Sequence, residues 1–237
     1  MATLITGNTC FDAWSNVSRH LISHPKKEDT NVIVNISTPC DFTNLKNWML
    51  DYNPEKVDGD KIRHVVNTIF PHTFRSYFAN RQDFYVKYGS IFIKSHHKKW
   101  GTYFQRLISF GKGINPSHPN QLENAINALN GGSPQKNFIT FHLTASNIES
   151  NVRPLGGPCW QYGELIINPG GGVDLIAVYR NHDYFNKALG NFIGLAKLLE
   201  FVCNESQKAS GSLIVHSIHA YSSKPISKLS QLLTEQD

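Results

Sequence analysis

The chain has few cysteines, and the four it has (Cys10, Cys40, Cys159 and Cys203) lie far apart without a CxxC pair. This spacing predicts free thiols and excludes both a disulfide framework and a zinc site of the usual kind. No apolar run approaches the roughly 18 residues that a membrane-spanning helix needs. The first residues also lack the basic start and long apolar core of a signal peptide. We therefore expect a cytoplasmic protein.

Nucleotide-binding fingerprints are also missing, because the sequence contains neither a P-loop nor a dinucleotide motif. Gly170-Gly171-Gly172 follows Asn168-Pro169 between two apolar runs, which predicts a hairpin turn. The formal net charge of +5 weakly favours an anionic ligand. Its one dense basic cluster, residues 96–99, lacks the interleaved aromatics of a nucleic-acid surface. We favour a solvated loop there, and nucleic acid is not an expected partner.

The remaining composition, 40% hydrophobic and 17% charged, is that of one globular domain over residues 1–237. Hydrophobic periodicity predicts a single α+β domain. The tail from Ser222 is polar and is expected to be loosely held at its end. The predicted helices are 9–23, a helix through Ile62–Ile69, 97–109, 121–129 and 183–204. Thr9 is the expected cap of the first helix, and Pro71 is expected to stop the second. The predicted strands are 31–36, 137–143, 161–167, 173–179 and 212–219.

Cys159 and Arg180 stand at the two ends of the predicted hairpin. A thiol at the start of a strand can be presented to a cavity, although most free cysteines are simply buried. Nucleophilic sulfur needs a nearby cation to gain thiolate character, and the hairpin brings Arg180 back toward Cys159. The planar guanidinium also suits a phosphate, while a surface arginine at a strand end explains it equally well.

Asn191 is the most unusual polar residue, because it lies in a nearly continuous apolar helix. A buried carboxylamide without hydrogen bonds costs a few kcal/mol, so Asn191 must face a polar partner or a narrow exposed strip. Its donor and acceptor match O4 and N3–H of uracil. His219 and Tyr221 alternate with Ser217 on one predicted strand, so we expect all three on one face. Their side chains could hydrogen-bond to a sugar hydroxyl, and packing at the strand end would explain them equally well. Asp183 is expected to cap the following helix.

Taken together, these residues resemble the thymidylate synthase family. In that family a Pro-Cys nucleophile is followed by a hairpin and an arginine. An aspartate comes three residues after the arginine, and an asparagine eight residues after the aspartate. Cys159, Arg180, Asp183 and Asn191 match this order and spacing. The family's His-x-Tyr is matched by His219-Ala220-Tyr221. The resemblance covers about residues 121–222, is specific around 158–195, and is greatest to the short branch that includes archaeal enzymes.

The resemblance implies a thymidylate-synthase-like domain, in which a mixed β-sheet is covered by helices, and a homodimer formed through a sheet face. It also implies folate-dependent one-carbon transfer, methylation or hydroxymethylation, to C5 of a pyrimidine nucleotide of the uracil type. In that mechanism Cys159 adds to C6, and methylenetetrahydrofolate supplies the one-carbon unit. The other implied contacts are Arg180, Asn181 and Lys136 with phosphate, Asn191 with the ring, His219 and Tyr221 with the sugar, and Asp183 and Trp100 with folate; no metal is implied.

The sequence departs from the family at several positions. Trp160 follows the cysteine where the family has histidine, Asn181 replaces a serine, and only Lys136 is basic where a pair of arginines is expected. No catalytic glutamate is recognisable in the first half, which offers Glu28, Glu55 and Glu123. A nucleotide-binding or regulatory protein that has lost the reaction is therefore the alternative.

Overall fold

In the computed structural model, the described residues form one mixed seven-stranded sheet with helices packed against it. Neighbouring strands follow the order β1-β2-β7-β5-β4-β3, and the short β6 pairs with β7. The described residues are 1–43, 62–92, 101–109, 120–131, 139–144 and 158–234. The strands are β1 Thr3–Gly7, β2 Glu28–Ile36, β3 Ile139–His142, β4 Trp160–Ile167, β5 Val173–Tyr179, β6 His182–Asp183 and β7 Ser210–Tyr221.

Eight helices are seen in these ranges, and none of them is long and apolar enough to cross a membrane. A nineteen-residue helix, α7, is central because α1, α2 and α6 all pack on it. The helices are α1 Cys10–Ser23, α2 Ile62–Ile69, α3 His72–Arg75, α4 Arg81–Phe92, α5 Tyr103–Ile108, α6 Gln121–Asn130, α7 Ala188–Ser206 and α8 Ile226–Thr234.

The first helix shows how local sequence fixes an element. The Thr9 hydroxyl accepts the backbone N–H of Asp12 at 3.2 Å, and the Asp12 carboxylate accepts the N–H of Thr9 at 3.0 Å. This capping box satisfies two donors that a helix start leaves unpaired. Trp14, Val17 and Leu21 form the buried face of α1. The predicted helix with its Thr9 cap is confirmed.

The C-terminal half is a hairpin followed by a parallel crossover. Strands β4 and β5 pair antiparallel around the turn that begins at Asn168, as predicted. Strand β5 then leads through α7 into β7, which lies parallel to β5. Parallel neighbours need such a crossover, and the helix covers the sheet that it connects. The carboxyl ends of β5 and β7 therefore lie at the same end of the sheet.

The two faces of the sheet differ in burial. Side chains on the helix-covered face of β2, β5 and β7 are buried, for example Val34, Ala177 and Val215. The alternate positions in the same strands are half-buried or exposed, and apolar and polar side chains are mixed there. The polar ones include Asn35, Asp174 and His216. The apolar ones include Ile33, Ile176, Val178, Ile214 and Ile218, the last of which is 41% exposed.

One predicted helix starts at the wrong residue. The helix expected over 183–204 begins at Ala188, because the chain from His182 to Asp183 pairs with β7 before it turns. The tail from Ser222 forms α8, which was not predicted, and buries Leu229 and Leu233 against the core near α1. The end of the tail, residues 235–237, lies outside the described ranges. Strand β1, which pairs parallel with β2, was not predicted.

The other predicted elements are confirmed, with shifted ends where the structure describes them. Helix α2 ends at Ile69 as predicted, and α6 ends one residue later than predicted. Helix α5 is shorter than the predicted 97–109, and residues 97–100 lie outside the described ranges. Strand β2 is longer than predicted, and β7 extends to Tyr221, so both His219 and Tyr221 lie within it.

The contact between α2 and α7 gives a first prediction. A Cβ added to Gly190 would lie 2.7 Å from Cβ of Val65 and 3.1 Å from the carbonyl oxygen of Ile62. Replacing Gly190 by alanine should push α2 and α7 apart and cost about 1–3 kcal/mol, partly offset by about 1 kcal/mol of helix propensity. Urea unfolding measures the difference. Asn204→Ala, at an exposed position in the last turn of α7, is the control. A Gly190→Ala protein that is more stable than wild type would contradict this packing.

Candidate functional site

The candidate site lies where β4 begins and β5 and β7 end. Trp160 pairs with Tyr179 across β4 and β5, and Tyr179 pairs with Ser217 across β5 and β7. The backbone N–H of Arg180 donates to the carbonyl oxygen of Cys159 at 3.0 Å. The hairpin thus places Cys159 and Arg180 side by side, as the sequence predicts.

The pairing with β7 is interrupted between β5 and β6, and this break shapes the site. Strands β5 and β6 pair with the same edge of β7 in the same register, but Arg180 and Asn181 between them form no strand pairs. The alternation of buried positions shifts by one residue across this break. As a result, the rings of Tyr179 and His182 lie on the same side and stack, with centroids 4.3 Å apart and planes 7° from parallel.

The backbone at Cys159 is held by a buried tyrosine. The hydroxyl oxygen of Tyr103, in the first turn of α5, accepts the N–H groups of Cys159 and Trp160, each at 3.1 Å. Burial raises the pKa of Tyr103 to about 12, so this hydroxyl stays neutral. Helix α5 therefore fixes the start of β4, while the Cys159 side chain remains half-buried.

Three tyrosines from α5, β5 and β7 interact electrostatically with Cys159. Burial is the main cause that raises the pKa of Tyr103, Tyr179 and Tyr221, and the interaction with Cys159 adds to it in each case. The Tyr179 hydroxyl is fully buried and has no hydrogen-bond partner among the described residues. An unsatisfied buried hydroxyl costs about 1–3 kcal/mol, so this position favours a polar ligand or water.

His182 is a residue of the site that the sequence did not identify, since its surroundings resembled a loop. It is 1% exposed, and its Nδ1 lies 2.8 Å from the Ser217 hydroxyl. Its Nε2 lies 3.1 Å from Nδ2 of Asn191. The polar partner expected for Asn191 inside the apolar helix is thus His182. Burial lowers the pKa of His182 to about 3, so the imidazole is neutral.

This buried imidazole predicts a pH-dependent stability. In the unfolded chain the pKa of histidine is about 6.5, so below that pH only the unfolded state takes up the proton. The contribution of His182 is complete above pH 6.5 and falls by about 1.4 kcal/mol per pH unit between about pH 6.5 and 3. Urea unfolding of wild type and His182→Phe from pH 8 to 5 measures it. Equal slopes in the two proteins would contradict a buried neutral His182.

His219 and Tyr221 form the sugar-facing candidates. Their rings stack with centroids 5.2 Å apart, which places them on one face. His219 Nδ1 lies 2.7 Å from Oδ1 of Asn181, and Nε2 lies 3.2 Å from the Glu28 carboxylate. Asn181 also interacts with Tyr221. Asn181 therefore connects both ring residues. Ser217 is buried and contacts His182 in the interior, so the prediction that Ser217 shares a face with His219 and Tyr221 is wrong.

Asp183 has a different local role from the predicted helix cap. Its Oδ1 accepts the N–H of Phe185 at 3.0 Å and that of Ser223 at 3.1 Å. Its Oδ2 accepts Nδ2 of Asn186 at 3.1 Å. The carboxylate thus stabilises the turn before α7 and ties it to the end of β7. Oδ2 has only one hydrogen bond among the described residues and can accept another.

The remaining candidates are separated from these residues or lie outside the described ranges. Glu123 is bound to Arg81 through two hydrogen bonds of 2.7 and 2.9 Å, and Arg81 also binds Glu205 of α7. Glu28 is the glutamate of the first half that the structure brings to the site. Lys136, Trp100, Glu55 and the 96–99 cluster lie outside the described residues.

The structure thus brings seven predicted site residues, from four separate segments, to one end of the sheet. They are Cys159, Arg180, Asn181, Asp183, Asn191, His219 and Tyr221. Within the described ranges, no group of three or more His, Cys, Asp or Glu side chains is placed to hold a metal ion. Comparison of the chain with protein-family models and with curated proteins finds no match.

Proposed function

We propose that the protein transfers a one-carbon unit to C5 of a pyrimidine nucleotide through a covalent adduct between Cys159 and C6 of the ring. The observation that carries this proposal is the grouping of a half-buried thiol, a guanidinium and a buried amide around the end of β5. Arg180 is a direct strand-end neighbour of Cys159, and Asn191 is connected to the Tyr179 side through His182.

Each side chain has a role in the proposed chemistry. The Cys159 thiolate forms a bond to C6, and the electrons of the C5–C6 double bond move toward O4, which makes C5 nucleophilic. Asn191 binds the ring edge and stabilises the charge that develops at O4. Arg180 binds phosphate, with Asn181 beside it. After C5 has reacted and lost its proton, the S–C6 bond breaks and releases Cys159.

His219 and Tyr221 supply the sugar contacts in this proposal. The two stacked rings are half-buried, and Tyr221 interacts electrostatically with Cys159. Both nitrogens of the His219 ring already have partners, Oδ1 of Asn181 at Nδ1 and the exposed Glu28 carboxylate at Nε2. A sugar hydroxyl would therefore bind at Nε2 in place of Glu28, or at the Tyr221 hydroxyl. Lys136 would add a second cation for phosphate.

Methylenetetrahydrofolate, when bound, would supply the one-carbon unit at the oxidation level of formaldehyde, together with the hydride that a methyl product requires; a hydroxymethyl product would take up water instead. Asp183 fits a contact with its pterin only through Oδ2, because Oδ1 is already used by backbone N–H groups. Trp100 remains the second candidate for this contact. Four free thiols fit a reducing compartment, so we place the reaction in the cytoplasm.

Tritium release from C5-labelled nucleotides tests the proposal. The protein is incubated with labelled dUMP, UMP, dCMP or CMP and methylenetetrahydrofolate, and tritium in water is counted. We expect release with at least one nucleotide, uracil compounds favoured, only when the folate is present. Analysis of the nucleotide product by mass spectrometry distinguishes a methyl from a hydroxymethyl group. Absence of release with all four would reject the catalytic proposal.

A nucleotide-binding or regulatory protein is the second candidate. The observation that favours it is that the candidate carboxylates are engaged or exposed. Asp183 stabilises a turn, Glu123 is paired with Arg81, and Glu28 is largely exposed beside His219. Among the described residues, no buried glutamate is therefore placed to remove the proton from C5. Calorimetric binding of a pyrimidine nucleotide without tritium release would favour this candidate over the enzyme.

We also propose that the protein forms a homodimer through the sheet face on which the alternate, less buried positions of β2, β5 and β7 lie. The support is the row of half-buried apolar side chains on that face, including Ile176, Val178 and Ile214 in adjacent strands. Light scattering should give twice the chain mass, and Val178→Arg should shift the protein toward monomer. Arg19→Ala on α1 serves as control. A monomeric wild type at high concentration would contradict the dimer.

A further inference from the structure

The imidazole of His182 is held on two edges and one face. Nδ1 lies 2.8 Å from Ser217 Oγ, and Nε2 lies 3.1 Å from Nδ2 of Asn191. One ring face stacks on Tyr179 at 4.3 Å. With 1% exposure, the ring has no access to bulk water that would replace these partners. Its two nitrogens are therefore fixed on Ser217 and Asn191.

A neutral imidazole has one N–H donor and one acceptor nitrogen. When Nδ2 of Asn191 faces Nε2, the amide donates, so Nε2 must accept and Nδ1–H must donate to Ser217 Oγ. The opposite tautomer would require Oδ1 of Asn191 to face Nε2–H. The tautomer of His182 therefore determines which end of the Asn191 amide is turned inward and which groups are left for a ligand.

This orientation matters because an amide alone does not distinguish the two common pyrimidines. Uracil presents an N3–H donor beside the O4 acceptor, whereas cytosine presents an N3 acceptor beside the N4 amino donor. A carboxylamide matches uracil in one orientation and cytosine after a rotation of 180° about its last bond. Discrimination needs a neighbour that fixes the orientation, since a wrongly turned amide opposes donor to donor and acceptor to acceptor.

We propose that His182, held by Ser217, fixes the orientation of the Asn191 amide and thereby sets the preference between uracil and cytosine nucleotides. The inference rests on the proposed function, in which Asn191 binds the ring edge. His182 acts here as a positioning residue, because it contacts Asn191 and not the nucleotide. Ser217 is in turn shared with the hydroxyl of Tyr184 at 3.1 Å, which extends the chain of hydrogen bonds.

The geometry of the strand break explains how His182 reaches this position. In regular alternation a residue three positions after Tyr179 would point to the opposite face of the sheet. Because Arg180 and Asn181 interrupt the pairing, His182 lies on the face covered by α7, where Asn191 occupies the first turn. The same break thus positions Arg180 and His182 for different parts of one ligand.

The test compares nucleotide preference in His182→Phe, Ser217→Ala and the control Tyr85→Phe. Phenylalanine at 182 keeps a ring against Tyr179 but removes both nitrogens, and Ser217→Ala removes the hydroxyl that Nδ1 shares with Tyr184. The control also removes a buried tyrosine hydroxyl without a partner among the described residues, but Tyr85 lies in α4 beside Phe84 and Phe104. Calorimetry gives the dissociation constants of dUMP, UMP, dCMP and CMP for each protein, and circular dichroism confirms folding.

We expect wild type and Tyr85→Phe to prefer one base by about tenfold or more. In His182→Phe and Ser217→Ala the ratio should fall at least about fivefold, mainly because the disfavoured base binds more tightly. An unchanged ratio in a folded His182→Phe that still binds nucleotide would overturn this inference and leave the proposed function intact. If wild type binds none of the four nucleotides, the proposed function itself is rejected.

A ligand-free measurement tests the same inference in the wild type. Long-range proton–nitrogen NMR spectra of the imidazole identify its tautomer. We expect a single neutral form of His182, protonated at Nδ1, between pH 5 and 8. An equal mixture of tautomers would overturn the inference even if His182→Phe fails to fold, because the amide orientation would then be unfixed.

Discussion

Replacing Cys159 by serine should reduce tritium release from the preferred nucleotide by roughly 10³-fold or more. The serine hydroxyl is not ionised near neutral pH and lacks the nucleophilicity of a thiolate, so the bond to C6 does not form. Nucleotide affinity should stay within about threefold, since Arg180 and Asn191 remain. Rates are measured by tritium release and affinities by calorimetry.

Cys40→Ser is the matched control, because Cys40 is also a free, half-buried thiol but lies beside α7 at Ala196. We expect its activity to equal that of wild type. If Cys40→Ser lost activity and Cys159→Ser kept it, the nucleophile would be Cys40, and the role proposed for Cys159 would be wrong. Equal activity in both variants would remove cysteine from the mechanism.

Replacing Trp160 by alanine should lower the free energy of unfolding by about 3–5 kcal/mol. The indole is fully buried, packs on Tyr103 at 5.5 Å and lies parallel to Tyr179 at 6.4 Å. Its Nε1–H donates to the carbonyl oxygen of Tyr162 at 2.7 Å. Alanine leaves a cavity in this aromatic group and an acceptor without its donor. Urea unfolding monitored by circular dichroism gives the difference.

Trp160→Phe is the comparison variant, because it keeps an aromatic ring and removes only part of the volume. Its loss should be clearly smaller than that of Trp160→Ala. A loss below about 1 kcal/mol for Trp160→Ala would contradict the packing described here. The prediction also gives a physical reason for tryptophan after the cysteine: at this position the side chain is a core residue of the hairpin.

Elements with a strong local signal were predicted correctly. Helix α1 has both a capping box and an apolar face, and the β4–β5 hairpin has Asn168 and glycines between alternating strands. In both cases the information lies within a few residues. The start of α7 was placed too early because Asp183 resembles a helix cap, whereas pairing of β6 with β7 keeps this segment extended. Strand pairing is a tertiary interaction, so it cannot be predicted from the helix propensity and capping signal of the local sequence.

The C-terminal helix was missed although its signal was present. Ile226, Leu229 and Leu233 are spaced at three and four residues, which is the period of one helix face. Strand β1 is only five residues long and shows its role only through pairing with β2. Short elements at chain ends thus depend on neighbours that composition does not reveal.

The grouping of the candidate site was predicted from the order of residues, but its internal contacts were not. The hairpin made the proximity of Cys159 and Arg180 predictable, and strand alternation predicted His219 beside Tyr221. His182 gave no local signal, since its position depends on the break at Arg180 and Asn181. Glu28 likewise reaches His219 only because β2 and β7 pair antiparallel.

Mass spectrometry with 5-fluoropyrimidine nucleotides tests the central claim most directly. Fluorine at C5 cannot leave as a cation, so a Cys159 adduct formed with methylenetetrahydrofolate cannot complete the reaction and accumulates. The account predicts a covalent complex with a uracil or cytosine nucleotide, mapped to the peptide that contains Cys159 and absent in Cys159→Ser. Nucleotide binding without any adduct, or an adduct on another cysteine, would contradict it.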